Sequence, residues 1–464
     1  MKNRITIYSV VLLSALTGYL IGNNGNLSFL ELKDENSIKR LERLINYIQK
    51  DYVDKIDTDS LVGAVIEDTV NKLDPHSVYI PNSDRQVINE NMQGNFSGIG
   101  VSFFMAGDSV TIIRVLKDGP SQKAGLLAGD RILIADQDTL FNKSLNSSKI
   151  MNILKGSPGT PVNLTIYRKS ENLTINFNLI RGKVPLPSVE SSYMINEKVG
   201  YIKINRFSQT TFDEFELAMK KLIKVGMSKI ILDLRNNPGG YLHPAKQISN
   251  TFLNKGQKIV ITKTNSGNQE NTYAKGNGIF QKGEIIILVN EESASASEIV
   301  AGAIQDNDRG WIIGRRTFGK GLVQQQMPLG RGDVVRLTTA KYFTPTGRSI
   351  QRPYENGRED YYNELNRRFE NGEMADENKI PTGDSLAYKT PNGRIVYGGG
   401  GITPDIYISN LNTKEEQWND LILKSSLINN FVFNEIDKKR KKFSELKEID
   451  LFGNKKLNIL PTYV

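Results

Sequence analysis

The chain has 464 residues, more than one ordinary hydrophobic core supports, and calls for roughly two to four domains; its 38% hydrophobic and 24% charged residues suit a globular protein. It contains no cysteine, which excludes thiol nucleophiles, disulfides and thiolate metal sites, and its only histidines are His76 and His243, too few for a multi-histidine zinc centre. The formal charge of +9 comes from scattered lysines and arginines; the densest run, DKKRKK at 437–442, has no aromatic platform beside it and reads as a solvated helix face, not a nucleic-acid surface.

At the N-terminus, Lys2 and Arg4 precede an apolar stretch from Ile5 to Gly22. About 18 residues of this kind just span a bilayer core, and the positive flank keeps the N-terminus cytoplasmic. With no clear small-x-small cleavage site following, residues 1–22 are expected to be an uncleaved signal anchor, the alternative being a removed signal peptide. The remainder would then lie outside the cytoplasm, on the periplasmic or extracytoplasmic face, where a lack of cysteine is at home.

Residues 23–95 are expected to be a helical region. Ile38, Leu41, Leu44, Ile45 and Ile48, then Leu61, Val65, Ile66 and Val70, recur at helical spacing before Pro75 and Pro81 interrupt the pattern in LDPHSVYIP. From 96 to 184 the chain changes to short strands and glycine turns. FSGIGVSF places Gly98, Ile99, Gly100 and Val101 in a turn entering a strand, where backbone N–H groups can converge on an anion. DGPSQKAGLLAGDRIL adds a short helix and sets Asp130 in the turn before the next strand. Together these stretches resemble a PDZ domain, whose glycine loop takes a peptide C-terminal carboxylate while the peptide adds a strand to the sheet edge.

From 185 to 410, strands such as VGYIKI, KIILDLR, KIVITKT and EIIILVN alternate with helices such as FDEFELAMKKLIKVG and SEIVAGAIQD, which predicts an α/β core. Within it, 354–392 is polar and aromatic-rich and reads as a surface insertion. Residues 411–464 are charged and expected to be helical.

Three segments of the core carry chemistry. NEESASASEIVAG (290–302) contains three serines ahead of a helical run; Ser295 and Glu298 have capping-box spacing, and a serine at a strand-to-helix turn can also be a nucleophile beside N–H groups that hold an oxyanion. DLRNNPGGY (233–241) ends in a rigid turn whose glycines allow close backbone approach. GRRTFGKGLVQ (314–324) sets Lys320 between glycines, with strand alternation placing Lys320, Leu322 and Gln324 on one face. A lysine serves as general base only when neutral, and lowering its pKa from ~10.4 to about 7–8 takes roughly 4 kcal/mol of desolvation and charge repulsion. Apolar neighbours supply the first, and Arg315 and Arg316 would contribute to the second if they lie close.

LDPHSVYI, the PDZ-like unit, DLRNNPGG, SASASEI, GKGLVQ and GITPDI (401–406) together resemble the C-terminal processing peptidases, or tail-specific proteases, of serine peptidase family S41. The resemblance implies an α/β core related to the crotonase and Clp protease spiral, with an inserted, mainly-β PDZ domain. It also implies Ser295 as nucleophile, Lys320 as base at the family's 25-residue spacing, and Gln324 assisting the lysine. The oxyanion donors implied are the N–H of Ala296 and that of Gly239 or Gly240. Ser293 and Ser297 lack the spacing to Lys320. His243 is expected to be a surface or cleft residue. The implied activity is a serine endopeptidase that takes protein substrates by exposed apolar C-termini and needs no metal, nucleotide or other cofactor. The alternative is a PDZ scaffold that binds C-termini without cleaving them; acyl-CoA chemistry on the same core would leave the PDZ-like unit without a purpose.

Overall fold

The computed structural model describes residues 37–106, 108–141, 145–383, 386–410 and 426–439. The expected signal anchor at 1–22 lies outside the described residues, and among those described no helix is long and apolar enough to cross a membrane. The chain divides into two compact units, Met1–Thr69 and Val70–Val464. The helical spacing read in the sequence yields α1 (Ser37–Asp51), which buries none of its residues, and α2 (Thr58–Asn71).

The second unit opens with β1 (Val78–Ile80) and α3 (Asn82–Gln93), which starts after Pro81 and stops at Gly94 in the left-handed region (φ 74°). A small β domain follows: β2 (Asn95–Gly98), β3 (Val101–Ala106), β4 (Ser109–Val115), α4 (Pro120–Ala124), β5 (Asp130–Ala135), β6 (Asp138–Thr139), α5 (Ser147–Leu154), β7 (Pro161–Arg168), β8 (Leu173–Ile180) and β9 (Gly182–Pro185). Its sheet runs β3-β4-β5-β7-β8 with β6 on β5, and β2 pairs with β9. Alternation does the folding work here: β7 buries Val162, Leu164 and Ile166 and exposes or half-exposes the residues between them. Their partners in this core are Val110, Ile112, Ile132, Ile150 and Leu179. Asp130, expected in a turn, instead opens β5 and is held by Arg168 (2.8 Å) and the N–H of Leu127 (2.8 Å).

The larger domain is the expected α/β core. It contains β10 (Val189–Met194), β11 (Val199–Ile204), α6 (Thr211–Lys224), β12 (Lys229–Asp233), α7 (Leu242–Phe252), β13 (Lys258–Thr264), β14 (Gln269–Tyr273), β15 (Glu284–Val289), α8 (Ala296–Asp306) and β16 (Trp311–Gly314). It continues with β17 (Leu322–Gly330), β18 (Asp333–Phe343), α9 (Arg358–Glu370), β19 (Ala387–Lys389), β20 (Ile395–Tyr397) and β21 (Ile406–Tyr407). One sheet runs β10-β11-β12-β15-β16-β21, parallel from β11 onward; its strands bury Ile230 and Leu232, and Ile285, Ile287 and Val289, beneath the helices. A second, antiparallel sheet joins β1, β18, β13 and β14, with β17 hairpinned onto β18. Helix α8 is buried on every side, its apolar middle and its polar ends, Ser297, Glu298, Gln305 and Asp306, alike.

This topology decides what meets what. Strands β12 and β15 are parallel neighbours, with Ile230 opposite Ile285 and Leu232 opposite Ile287, so their C-terminal loops emerge side by side. Those loops are DLRNNPGG and NEESASAS, 60 residues apart in the chain at Asn237 and Ser297 yet joined by a 2.9 Å hydrogen bond.

The 354–392 segment is largely exposed but tied into the core at a few positions. Tyr361 and Arg368 on α9 are each only 1% exposed, and Met374 and Ile380 are buried. Most of its polar residues are exposed, and a few anchor it: Glu364 meets Arg352 and Arg368 at 2.7 Å, and Glu373 meets Arg316 at 2.7 Å. Charge periodicity alone cannot separate these two environments. Beyond β21, residues 426–438 form α10 (Ser426–Lys438), whose Phe433 meets Phe104 edge-on at 4.8 Å and whose Asp437 pairs with Arg131 (2.6 Å) and Lys169 (3.0 Å) of the small domain. The remainder of the expected C-terminal helical region lies outside the described residues.

Candidate active site

The three serines of the β15–α8 turn have different fates. Ser293 and Ser297 are fully buried; the Ser293 hydroxyl donates to the Leu234 carbonyl (2.8 Å) and that of Ser297 to the Asn237 carbonyl (2.9 Å). They rivet the serine turn to the glycine turn. Ser295 lies between them, half-buried, and lines a cavity of about 850 Å³. Its backbone sits at φ 55°, ψ −111°, a conformation costly for any residue with a Cβ and characteristic of the sharp strand-to-helix turn that presents a nucleophile.

One side chain holds that turn. The Glu298 carboxylate, 0% exposed, accepts from the N–H of Ser295 (2.7 Å), as the capping-box spacing predicted. It also accepts from the N–H of Gly319 (2.7 Å), the N–H of Lys320 (2.9 Å) and the hydroxyl of Thr317, contacts that local sequence could not reveal. Burial raises the pKa of Glu298, and the four donors oppose that rise. Tyr342, on β18 and 1% exposed, adds a second bridge, its hydroxyl lying 3.0 Å from the Ser295 carbonyl and 2.6 Å from that of Lys320.

Lys320 lies in the loop before β17, not within a strand, and a register shift at Val323/Gln324 replaces the simple alternation read in the sequence. The bulge still brings Gln324 to it: Lys320 Nζ donates to Gln324 Oε1 at 3.0 Å. The Gln324 amide nitrogen is committed to the His76 carbonyl, which orients its oxygen toward the lysine. Burial lowers the Lys320 pKa to about 8, helped by the charge of Arg336 and opposed by Asp74 and Glu298. Arg315 and Arg316 do not supply the repulsion: Arg315 pairs with Glu291 (2.7 Å) and Arg316 with Glu373 (2.7 Å). Lys320 and Ser295 line the same cavity but are not hydrogen-bonded to each other; catalytic contacts commonly close only when substrate is bound.

The lysine loop is fastened from behind. Arg368 donates to the Thr317 carbonyl (2.8 Å), and Thr317 is pinned in turn to Ile402 of the GITPDI stretch by an N–H bond of 2.6 Å to its hydroxyl oxygen. The LDPHS stretch lies on the same side. The Tyr361 hydroxyl meets His76 Nε2 at 2.8 Å and that of Tyr362 donates to the Pro75 carbonyl at 3.0 Å. Burial, with the nearby charge of Lys320, lowers His76 to about 3, so its ring is neutral at physiological pH. Burial disfavours ionisation of Asp74, but hydrogen bonds from the Ser77 hydroxyl, the N–H groups of His76 and Ser77 and the Thr338 hydroxyl outweigh it and lower its pKa.

The proposed oxyanion donors are adjacent. An added Cβ on Gly239 would lie 2.8 Å from Ser295 Cβ and 2.9 Å from the Ala296 nitrogen, so only glycine permits this approach. The Gly239 N–H already donates to Asn237 Oδ1 at 2.9 Å. Gly240, paired to Phe207 as a bridge in which the neighbours Gly239 and Tyr241 make the bonds, and Ala296 at the start of α8 both line the cavity. His243 lines it too, on α7 and apart from Ser295. In the small domain, Ile99, Gly100 and Val101 line a second cavity of about 370 Å³ between edge strand β3 and α5, together with Met151, Leu154 and Lys155. Gly98 instead ends β2, paired with Gly182. Among the described residues no group of three or more His, Asp or Glu is placed to hold a metal ion.

The family description "Peptidase family S41" matches residues 198–356, and "PDZ domain" matches 97–179. The chain is 36% identical over 326 residues to the carboxy-terminal-processing protease of Bartonella bacilliformis, covering 68% of this chain and 74% of that one. It is 34% identical over 331 residues to a probable CtpA-like serine protease of Staphylococcus aureus, covering 70% of this chain and 65% of the relative. Among solved structures it is similar to the photosystem II D1 C-terminal processing protease, at 25% identity and a TM-score of 0.42, covering 81% of this chain and 87% of that one.

Two stability measurements test the site. Glu298→Ala strands four donors, each costing about 1–3 kcal/mol when left buried and unpaired, so urea unfolding is expected to show a loss on the order of 4 kcal/mol. Lys320→Met is expected to stabilise the fold. The native lysine binds protons less readily than the unfolded one, so it destabilises most below pH 8 and least above its unfolded pKa. Unfolding at pH 7 should show the variant more stable by on the order of 2–3 kcal/mol, with the gain fading toward pH 10.

Proposed function

The chain belongs to peptidase family S41 and is a serine peptidase with a PDZ domain, and from that premise we propose that it cleaves proteins entered by their C-termini, using Ser295 as nucleophile and Lys320 as general base. The observation that carries the proposal is the shared carboxylate: Glu298 ties the N–H of Ser295 and the N–H of Lys320 to one buried anchor, which holds nucleophile and base at one cavity. A lysine with a pKa of about 8 has a substantial neutral fraction near neutral pH and can accept a proton from a hydroxyl.

In this mechanism an exposed apolar tail adds to edge strand β3, seated against Ile99, Gly100 and Val101, and the chain passes to the cavity of Ser295. Neutral Lys320, oriented by Gln324, takes the Ser295 proton as Oγ attacks a peptide carbonyl. The N–H of Ala296 and that of Gly240 or Gly239 hold the oxyanion. Lys320 then protonates the leaving amine, and water, deprotonated by the same lysine, hydrolyses the acyl-enzyme. The unbonded Ser295–Lys320 pair gives the scaffold reading its one support, and the same assay decides between them.

The proposed setting is the extracytoplasmic face of the cell membrane, with residues 1–22 as tether. The support is Lys2 and Arg4 ahead of the apolar Ile5–Gly22 stretch.

Incubation with an unfolded protein bearing an apolar C-terminus should give cleavage that Ser295→Ala and Lys320→Ala each abolish while tail binding persists. Cleavage surviving either substitution would sink the dyad, and binding without cleavage by the unaltered chain would favour the scaffold. Because the base works only when deprotonated, kcat/KM should rise with pH through about 8, and Arg336→Gln should move that midpoint upward by removing a repelling charge. Alkaline carbonate washing of membranes should leave the protein in the pellet; release into the supernatant would contradict the tether.

A further inference from the structure

Arg336, on β18, lines the cavity that Ser295, Lys320, Gly240 and Ala296 also line. Among the described residues its guanidinium donates no hydrogen bond and forms no ion pair, and its Nη2 is sealed from solvent without an acceptor. The two carboxylates on this side of the cavity are committed elsewhere. Asp74 accepts from the N–H groups of His76 and Ser77 and the hydroxyls of Ser77 and Thr338, and Glu298 accepts from its four donors. A half-buried, unpaired guanidinium beside a lysine is costly twice over, through lost hydration and through repulsion. An apolar side chain of similar length would avoid both costs, so stability does not explain the charge.

We propose that Arg336 is a specificity-determining residue that receives a carboxylate of the substrate chain at the catalytic cavity. The guanidinium fork matches a carboxylate with two parallel bonds, and an anion brought by the substrate supplies the acceptor that the protein withholds. The carboxylate comes from an Asp or Glu side chain flanking the cleaved bond or from a free chain terminus, and the two sources separate experimentally. The inference rests on the peptidase reading for its setting.

The test uses the full-length chain carrying Ser295→Ala, so that peptide affinity is read without turnover. Fluorescent peptides ending in an apolar residue carry a single Glu or Gln, moved through successive internal positions. The expected result is at least one position where Glu binds about tenfold more tightly than Gln, with Arg336→Gln reducing the ratio to below about twofold and Arg336→Lys leaving an intermediate ratio. A second pair compares free-acid and carboxamide termini. A free-acid preference that Arg336→Gln removes assigns the terminus as the source and also supports the proposal; one that survives belongs to the β3 groove. Equal Glu and Gln affinities at every position, with no terminal preference sensitive to Arg336, overturn it, as does a Glu preference that Arg336→Gln leaves intact. A urea midpoint for Arg336→Gln no lower than that of the unaltered chain shows that the variant is folded. Failure of the unaltered chain to cleave any peptide would sink the peptidase reading, while these affinities would still decide the carboxylate site.

Discussion

The site depends on one buried carboxylate. Glu298 sits in the first turn of a helix that is buried on every side, and it accepts hydrogen bonds from both the serine turn and the lysine loop. A neutral residue of that size could not satisfy three backbone N–H groups and a hydroxyl at once, because a carboxylate alone offers acceptors and no donor. The same contacts fix Ser295 in a backbone conformation that a free turn would leave, so the anchor also sustains local strain.

A second tension runs through Lys320. Its loop is tethered by Glu298, Tyr342 and Arg368, while its amine is pushed toward neutrality by burial and by Arg336. The main-chain bonds hold the residue where its charge is unwelcome. Stability and the proposed function oppose each other at this position, and the arginine-rich packing of the 354–392 segment supplies rigid support behind it. That segment also reaches His76 and Pro75, so the glutamine that orients the lysine and the loop that carries it are backed by the same helix.

Much of this was legible in the sequence. The alternation of the small domain, the strand–helix order of the core and the spacing of Ser295, Glu298 and Lys320 follow from local periodicity, turn chemistry and the family resemblance. Two local readings failed for physical reasons. Arg315 and Arg316 point to carboxylates of their own, because a neighbour in sequence need not share a cavity. Simple alternation failed at a bulge. The polar 354–392 segment was read as solvated, and most of it is, while Glu364, Arg368 and Glu373 pair inside the fold, which charge pattern alone does not reveal.

The sequence by itself determined which residues can do chemistry: the absence of cysteine, the scarcity of histidine and the single lysine between glycines leave few candidates, since side-chain type limits protonation and nucleophilicity whatever the fold. The fold supplies the physical reason that Ser295 is the serine left unspent. Pairing β12 beside β15 consumes the hydroxyls of Ser293 and Ser297 in joining two loops and leaves Ser295 at the cavity. Only the tertiary structure decided that the charge facing Lys320 comes from Arg336, on a strand of the second sheet, because distances through space are set by sheet topology and not by position along the chain.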